Sequence, residues 1–226
     1  MLYKVPMKNI WSSRFDINKD PIHHIYIHNT EMIKEFVNNF SNITDLIFAE
    51  TFDVSRESII TNLNRFIQLK QFTKLNFECH RFPFEQIIEL LHFTKNIHTL
   101  KLDSILLYRT NSILIQQNET FRIVFNMNFV TNVTISKEIT LEKIQLLTTL
   151  FPRMKYLTIN LFKEVLKPVV RFLLSKSNIN TRYLSTLCIS KQRYDLVIKL
   201  RSMIKLEKLL HDYIIKVINR KLYLWW

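Results

Sequence analysis

A three-residue apolar pattern recurs seven times along this 226-residue chain. In each copy, an apolar residue is followed three positions later by a second and two positions after that by a third. The last two positions alternate with polar or mixed residues, which predicts a strand with one buried face. Helical patterns usually intervene, so the chain is expected to be an array of strand–helix units. The seven copies are Ile22-Ile25-Ile27, Ile43-Leu46-Phe48, Phe72-Leu75-Phe77, Ile97-Leu100-Leu102, Val130-Val133-Ile135, Met154-Leu157-Ile159 and Leu184-Leu187-Ile189.

The spacing of the copies favours a particular repeat architecture. Their middle residues are separated by steps of 21, 29, 25, 33, 24 and 30 positions. Such uneven steps are too loose for a propeller but normal for divergent leucine-rich-repeat-like units. The pattern therefore predicts an α/β fold, a leucine-rich-repeat-like solenoid with a curved parallel sheet backed by helices and a helical C-terminal cap.

Helix starts between the strands are marked by capping residues. Thr30, Ser55 and Thr140 can each cap a helix, and Pro83 fits the first position of another. A helix over residues 161–175 contains Pro168, which predicts a kink or a break.

Two further segments bear on the organisation of the chain. Residues 120–127 fit either an extra strand or a short helix. Residues 194–218 are predicted to form one long amphipathic helix, followed by a last strand that ends in Trp225 and Trp226. The predicted organisation is an irregular segment at 1–20, the solenoid at 21–190, and a capping helix with a terminal strand at 191–226.

Glycine is absent from the chain, which excludes several kinds of site. Phosphate-binding loops, dinucleotide fingerprints, nucleophile elbows and standard calcium loops all need glycine, because their backbone turns through positive φ or approaches a ligand closely. No strained elbow or pair of carboxylates marks a catalytic centre either. We therefore expect a protein that is not an enzyme and that uses no cofactor. Asparagine, common just before the predicted strands, is expected to occupy the left-handed turns.

The two cysteines and the hydropathy pattern indicate an intracellular protein, cytoplasmic or nuclear. Cys79 and Cys188 are too few for a disulfide framework and are expected to be reduced and at least partly buried. Residues 1–15 carry no apolar run, so no signal peptide is expected. No stretch approaches 18 apolar residues, so no membrane span is expected.

Positive charge is concentrated in the last third of the chain. Residues 1–150 hold 16 Lys or Arg against 15 Asp or Glu, whereas residues 151–226 hold 16 against 4. Together with the tyrosines and tryptophans of that region, this charge allows contact with RNA or an acidic partner. Most of the basic residues fall on the polar side of predicted helices, where solvated charge is normal.

Three segments resemble a known group of proteins. They read FPFEQIIELLHFTKNIHTLKL, ETFRIVFNMNFVTNVTISKEITLEKIQLLTTLFPRMKYLTIN and LEKLLHDYIIKVINRKLYLWW. They resemble the C-terminal, leucine-rich-repeat-like parts of multi-copy invertebrate F-box proteins, over about residues 43–226. The resemblance implies a protein whose repeats select a partner, as the substrate-recognition part of a ubiquitin-ligase subunit.

The chain departs from that family pattern in two places. The start contains VPMKNIWSSRFD, which is too short for an F-box and lacks its leucine pattern, so a ligase adaptor is not an expected partner. The asparagine of standard leucine-rich repeats is also missing from the turns after the strands. The expected solenoid is therefore irregular.

The polar residues between the apolar strand positions are the candidate partner-binding face. Because side chains of a strand alternate, these residues point away from the helices. The candidates are Tyr26, His28, Asp45, Lys74, Asn76, Glu78, Lys101, Asp103, Thr134, Tyr156 and Thr158. Their charges nearly cancel and their groups form hydrogen bonds, which suits recognition of a protein.

Other uses of these residues are weaker. His23, His24 and His28 suggest a metal, but no nearby cysteine or carboxylate completes a set of ligands. No metal, small-molecule ligand or membrane partner is expected. The main interpretation is a protein-interaction module, and the alternative is a basic adaptor that binds an acidic partner or RNA.

Overall fold

In the described part of the chain, the apolar triplets build the seven parallel strands of a nine-stranded sheet. A computed structural model describes residues 24–29, 43–49, 63, 69–80, 82–107, 112–190 and 194–226. The second and third residues of all seven triplets lie in strands, which confirms these strand predictions. The strands are β1 (His24–Ile27), β2 (Asp45–Phe48), β3 (Lys74–Phe77), β4 (Thr99–Leu102), β5 (Asn132–Glu138), β6 (Tyr156–Asn160), β7 (Thr186–Ile189), β8 (Ile214–Ile218) and β9 (Lys221–Trp225).

Strand order in the sheet follows chain order for the first seven strands. The order of the described strands is β1-β2-β3-β4-β5-β6-β7-β9-β8, and β1 to β7 are all parallel. Strand β9 pairs antiparallel with β7, and β8 pairs antiparallel with β9 at the sheet edge. The described part is therefore a mixed α/β fold in which each parallel strand lies beside its predecessor.

The register of the sheet aligns equivalent positions of the triplets. The middle residues are direct partners across all seven parallel strands, and Leu187 then pairs with Leu224 of β9. All of these side chains are buried. The register between β5 and β6 shifts only beyond Thr134. The aligned middle residues are Ile25, Leu46, Leu75, Leu100, Val133, Leu157 and Leu187.

The residue just before each strand makes the same backbone contacts in five neighbouring units. Its carbonyl accepts two N–H groups from the start of the next strand, with N···O distances between 2.8 and 3.2 Å. These repeated contacts fix the position of each strand relative to its neighbour along the strand axis. The accepting carbonyls belong to Thr44, Thr73, His98, Thr131 and Lys155.

The helices cover the apolar side of the sheet. Buried helical residues such as Ile87, Leu147 and Val170 join the inward strand residues in one core. None of the described helices has the length and apolar character needed to cross a membrane. The helices of the described part are α1 (Phe84–Phe93), α2 (Ser112–Gln117), α3 (Glu119–Met127), α4 (Leu141–Leu150), α5 (Lys163–Leu174) and α6 (Tyr194–Leu206).

The capping predictions have three outcomes. Thr140 caps α4 as predicted, and its Oγ1 accepts the Lys143 N–H at 3.5 Å. Pro83 lies one position earlier than predicted, because it precedes α1 with an extended backbone instead of occupying the first helical position. The helices predicted after Thr30 and Ser55 lie outside the described residues, apart from the buried helical Leu63, as does the segment at 1–20.

Two uncertain segments are resolved as helices. Residues 120–127 belong to α3, and the Asn118 side chain caps this helix by accepting the Thr120 N–H at 2.7 Å. Helix α5 continues through Pro168 without a break. Pro168 lacks a backbone N–H, so the helix loses one hydrogen-bond donor at this residue. Pro168 lies on the exposed side of the helix.

The predicted long helix over 194–218 is wrong in its second half. Helix α6 ends at Leu206, and the backbone of Lys208 turns to a φ of 49°. The β-branched residues of 214–218 form β8, because β-strands favour such side chains. Asn219 and Arg220, with φ of 48° and 60°, then make the two-residue turn to β9. A helix and a hairpin therefore follow β7.

Asparagine acts mainly through its side chain and not through left-handed turns. Among the described residues, Asn219 is the only asparagine with positive φ. Asn128 shows the commoner role, since its buried amide donates to the carbonyls of Val124 at 2.7 Å and Leu150 at 2.9 Å. These bonds tie the end of α3 to the end of α4.

Replacing Asn128 with alanine is expected to lower the free energy of unfolding by about 1–3 kcal/mol, because two carbonyls lose a buried donor. Urea denaturation measures the change. The matched control is Asn126→Ala, an exposed position two residues earlier, with an expected change within about 0.5 kcal/mol. Equal losses in the two variants would contradict the bridging role.

Candidate functional site

The predicted partner-binding side chains lie together on the open face of the sheet. They alternate with buried strand residues and are exposed or half-buried. Residues that are register partners form rows across the strands. One row contains Asp45, Lys74 and Tyr156, and the next runs from Tyr26 in β1 to Thr158 in β6. The members of that second row are Tyr26, Asn76, Lys101, Thr134 and Thr158. Three others follow the ends of their strands, namely His28, Glu78 and Asp103.

Asp45 and Glu78 on this face have local partners. Lys74 Nζ lies 3.1 Å from Asp45 Oδ2 across the β2–β3 pair, and Thr44 Oγ1 donates to the other Asp45 oxygen at 2.8 Å. Asn76 Nδ2 donates to Glu78 Oε1 at 3.0 Å. An exposed ion pair of this kind contributes at most about 1 kcal/mol. Its main effect is to orient the side chains and keep the face near neutral.

A second ordered group lies where β3 and β4 end. His80 Nδ1 and Asp103 Oδ2 are 2.5 Å apart, and Ser104 Oγ donates to the His80 carbonyl at 3.1 Å. These contacts link the loops after two neighbouring strands. The alternation of β3 did not predict His80 as part of the face, because His80 lies in the loop after that strand. The parallel register of β3 and β4 places this loop beside Asp103.

Aromatic side chains mark both ends of the predicted face. Tyr26 is 42% exposed and Tyr156 is 49% exposed. The Tyr26 ring contacts His24 edge-on, at a centroid distance of 5.3 Å, and stacks beside His28 at 6.3 Å. Within the described part, no three His, Cys, Asp or Glu side chains come together as a metal site, and His23 lies outside that part.

The face changes character at β7. Thr186 and Cys188, which continue the predicted rows, are buried, so they are not available to a partner. Their register partners on β9 are Trp225 and Tyr223, whose rings stack with centroids 5.3 Å apart. The sequence showed the alternation of these aromatics with Leu222 and Leu224 but not their antiparallel pairing with β7.

Neither thiol is arranged as a nucleophile. Burial raises the pKa of Cys79 to about 12, and the nearby Asp103 and Glu78 carboxylates contribute in the same direction. Cys188 is also buried. The pKa of the Tyr223 phenol is raised, first by its electrostatic interaction with Cys188 and then by a hydrogen bond to that side chain. The neutral forms of the Cys79 thiol and the Tyr223 phenol are therefore favoured.

Comparison with known proteins does not add a family to this description. No protein-family model matches the chain, and no curated protein or solved structure shows significant similarity to it. The functional interpretation therefore starts from the geometry of the sheet.

The thiol of Cys79 is expected to be unreactive in the folded protein. A pKa raised from 9.0 to about 12 leaves about a thousandfold less thiolate at pH 8 than in the unfolded chain, and the thiolate is the reactive form. The Cys188→Ala variant isolates Cys79, and its reaction with a coloured disulfide reagent is followed with and without denaturant. Rapid modification of the folded variant would contradict the burial of this thiol.

Proposed function

We propose that the protein is a non-catalytic protein-recognition module that binds its partner on the open face of the sheet. In this proposal the chain is a leucine-rich-repeat-like solenoid, with helices on its outer side. The observation that carries the proposal is a parallel sheet in chain order whose second face presents aligned, half-exposed polar side chains.

The repetition of strand contacts supports a stacked-repeat architecture. A chain that stacks one strand–helix unit on the next places each strand beside its predecessor. The five equivalent carbonyls before the strands are what such stacking produces, since each unit contacts its neighbour in the same way. Stacking of this kind leaves one sheet face without helices, and solenoid proteins use that face to bind partners.

The chemistry of the open face suits a protein partner. Tyr26 and Tyr156 are exposed on this face, and tyrosine is among the residues that contribute most to protein interfaces. The opposite charges of Asp45 and Lys74 lie 3.1 Å apart and largely cancel each other's field. Such a face recognises the arrangement of donors and acceptors on a partner more than its overall charge.

The size of the face indicates how far the partner must extend. Strands about 4.8 Å apart place β1 and β6 about 24 Å from each other, and five residues along a strand span about 17 Å. The resulting area of about 400 Å² is half of the roughly 800 Å² that each partner buries in a standard interface. A stable partner would therefore also contact the loops after the strands, including His80 and Asp103.

The family resemblance supports a more specific role. The three similar segments form α1 with β4, α3 through β6, and the hairpin of β8 and β9. In F-box proteins of this kind, the repeats hold the substrate of a ubiquitin ligase. We therefore propose that the partner on the sheet face is a ligase substrate.

Site-specific photo-crosslinking tests the location of the partner. A photoreactive amino acid at Thr134 or Thr158 is expected to give covalent adducts with a protein partner in the cell of origin, because both positions lie on the open face, in β5 and β6. The control position is Gln145, which is exposed on α4 at the helical side. Adducts of equal yield from Gln145, or none from the face, would contradict the proposal.

The ligase role has a separate test. A crosslinked protein that is a substrate is expected to accumulate when this chain is deleted, and to accumulate equally when ubiquitin ligation is inhibited. Protein abundance measured by quantitative mass spectrometry decides the outcome. A partner whose abundance and half-life stay unchanged would refute the ligase role but leave recognition on the sheet face intact.

A further inference from the structure

The loops that lead into β3–β7 form one continuous edge of the sheet, which we call the basic edge. It consists of residues 69–73, 94–98, 128–131, 151–155 and 175–185. The carbonyls of Thr73, His98, Thr131 and Lys155 each bind the start of the following strand, so neighbouring loops lie side by side. Strand spacing of about 4.8 Å gives this edge a length of about 19 Å.

The charge of the basic edge has one sign. Its five loops contain no Asp or Glu. The opposite edge, where the parallel strands end, carries both signs, with Glu78, Asp103 and Glu138 beside Lys137. The two edges therefore differ in charge, and part of the basic excess lies at strand starts as well as on helices. The cationic residues of the basic edge are Lys70, Lys95, Arg153, Lys155, Lys176 and Arg182, all exposed.

Two arginines of the basic edge lie on exposed aromatic rings. The Arg153 guanidinium carbon is 4.9 Å from the centroid of Phe129, and that of Arg182 is 4.6 Å from the centroid of Tyr183. Both rings are 48% exposed. The two pairs precede β5, β6 and β7, so they are adjacent units of the same edge. Each pair presents flat π surfaces next to a positive charge.

A cavity of about 560 Å³ lies at the β7 end of this edge. Lys176 and Arg182 line it together with His211, and Lys176 Nζ is 3.3 Å from His211 Nε2. Leu209 and Trp226 contribute apolar surface. The cavity therefore combines the cations Lys176 and Arg182 with the indole ring of Trp226, and such groups accept a phosphate and a base.

We propose that the basic edge binds single-stranded nucleic acid, with phosphates on its cations and bases stacked on its rings and guanidinium planes. This inference concerns a different surface from the sheet face and does not depend on the proposed function. An acidic peptide would match the cations but would not use the exposed ring–guanidinium stacks. Single-stranded nucleic acid matches both features. Its phosphates match the cations, and the π face of every unpaired base stacks on aromatic residues and on arginine.

Fluorescence anisotropy with labelled oligouridine and oligodeoxythymidine of about twelve nucleotides tests the charge component. The full chain is expected to bind, with affinity that falls steeply as salt rises. The double variant R153Q/K155Q is expected to reduce the log–log salt slope by about 1.4, since each single-strand phosphate contact contributes about 0.7. The control R201Q/K205Q removes the same charges from the exposed side of α6 and is expected to keep the slope.

Alanine variants of the rings test the stacking component. Phe129→Ala and Tyr183→Ala are each expected to weaken binding by about 5- to 150-fold, as measured for base stacking elsewhere. The matched control is Phe162→Ala, since Phe162 is 51% exposed but lies at the opposite edge, before α5. Circular dichroism and urea denaturation establish that each variant is folded.

The outcomes separate this inference from its alternatives. Binding of either oligonucleotide that weakens in the ring variants supports it, and unchanged affinity in Thr134 and Thr158 variants assigns the binding to the edge and not to the sheet face. Absence of binding at low salt overturns it. Equal competition by polyglutamate, with no effect of Phe129→Ala or Tyr183→Ala, also overturns it and indicates an acidic protein partner instead.

Discussion

The parallel register of the sheet is the constraint on which the other features of this protein depend. Because Leu46, Leu75 and Leu100 are direct partners of one another, one face of every strand contributes to a single apolar layer. The same register collects the polar side chains on the other face and sets the preceding loops side by side. A slip of one residue in any strand would exchange its two faces and destroy both surfaces.

The strands and the open face could be predicted from the sequence because both follow from a period of two residues. Each triplet places two apolar residues on one side of its strand, and the residues between them, such as Lys101 and Thr134, must then lie on the other. The α/β class follows from the helical patterns between the strands.

The elements that sequence reasoning missed depend on contacts between distant residues. The apolar residues of 207–218 fit helical spacing, but β9 pairs with the distant β7, as Leu224 does with Leu187, and β8 then pairs with β9. The basic edge draws its cations and rings from five separate loops, so their proximity is visible only once the strands are aligned. The bridging amide of Asn128 likewise joins helix ends 22 residues apart.

Thiol crosslinking between strands tests the chain-order register most directly. In a C79A/C188A background, Lys101→Cys with Thr134→Cys places thiols on neighbouring strands, whereas Lys101→Cys with Thr158→Cys places them two strands apart. The distances are about 5 Å and about 10 Å from the strand spacing. A reagent that spans about 5 Å is expected to crosslink the first pair rapidly and the second pair hardly at all. Equal rates, or faster crosslinking of the second pair, would contradict the strand order and the two surfaces that depend on it.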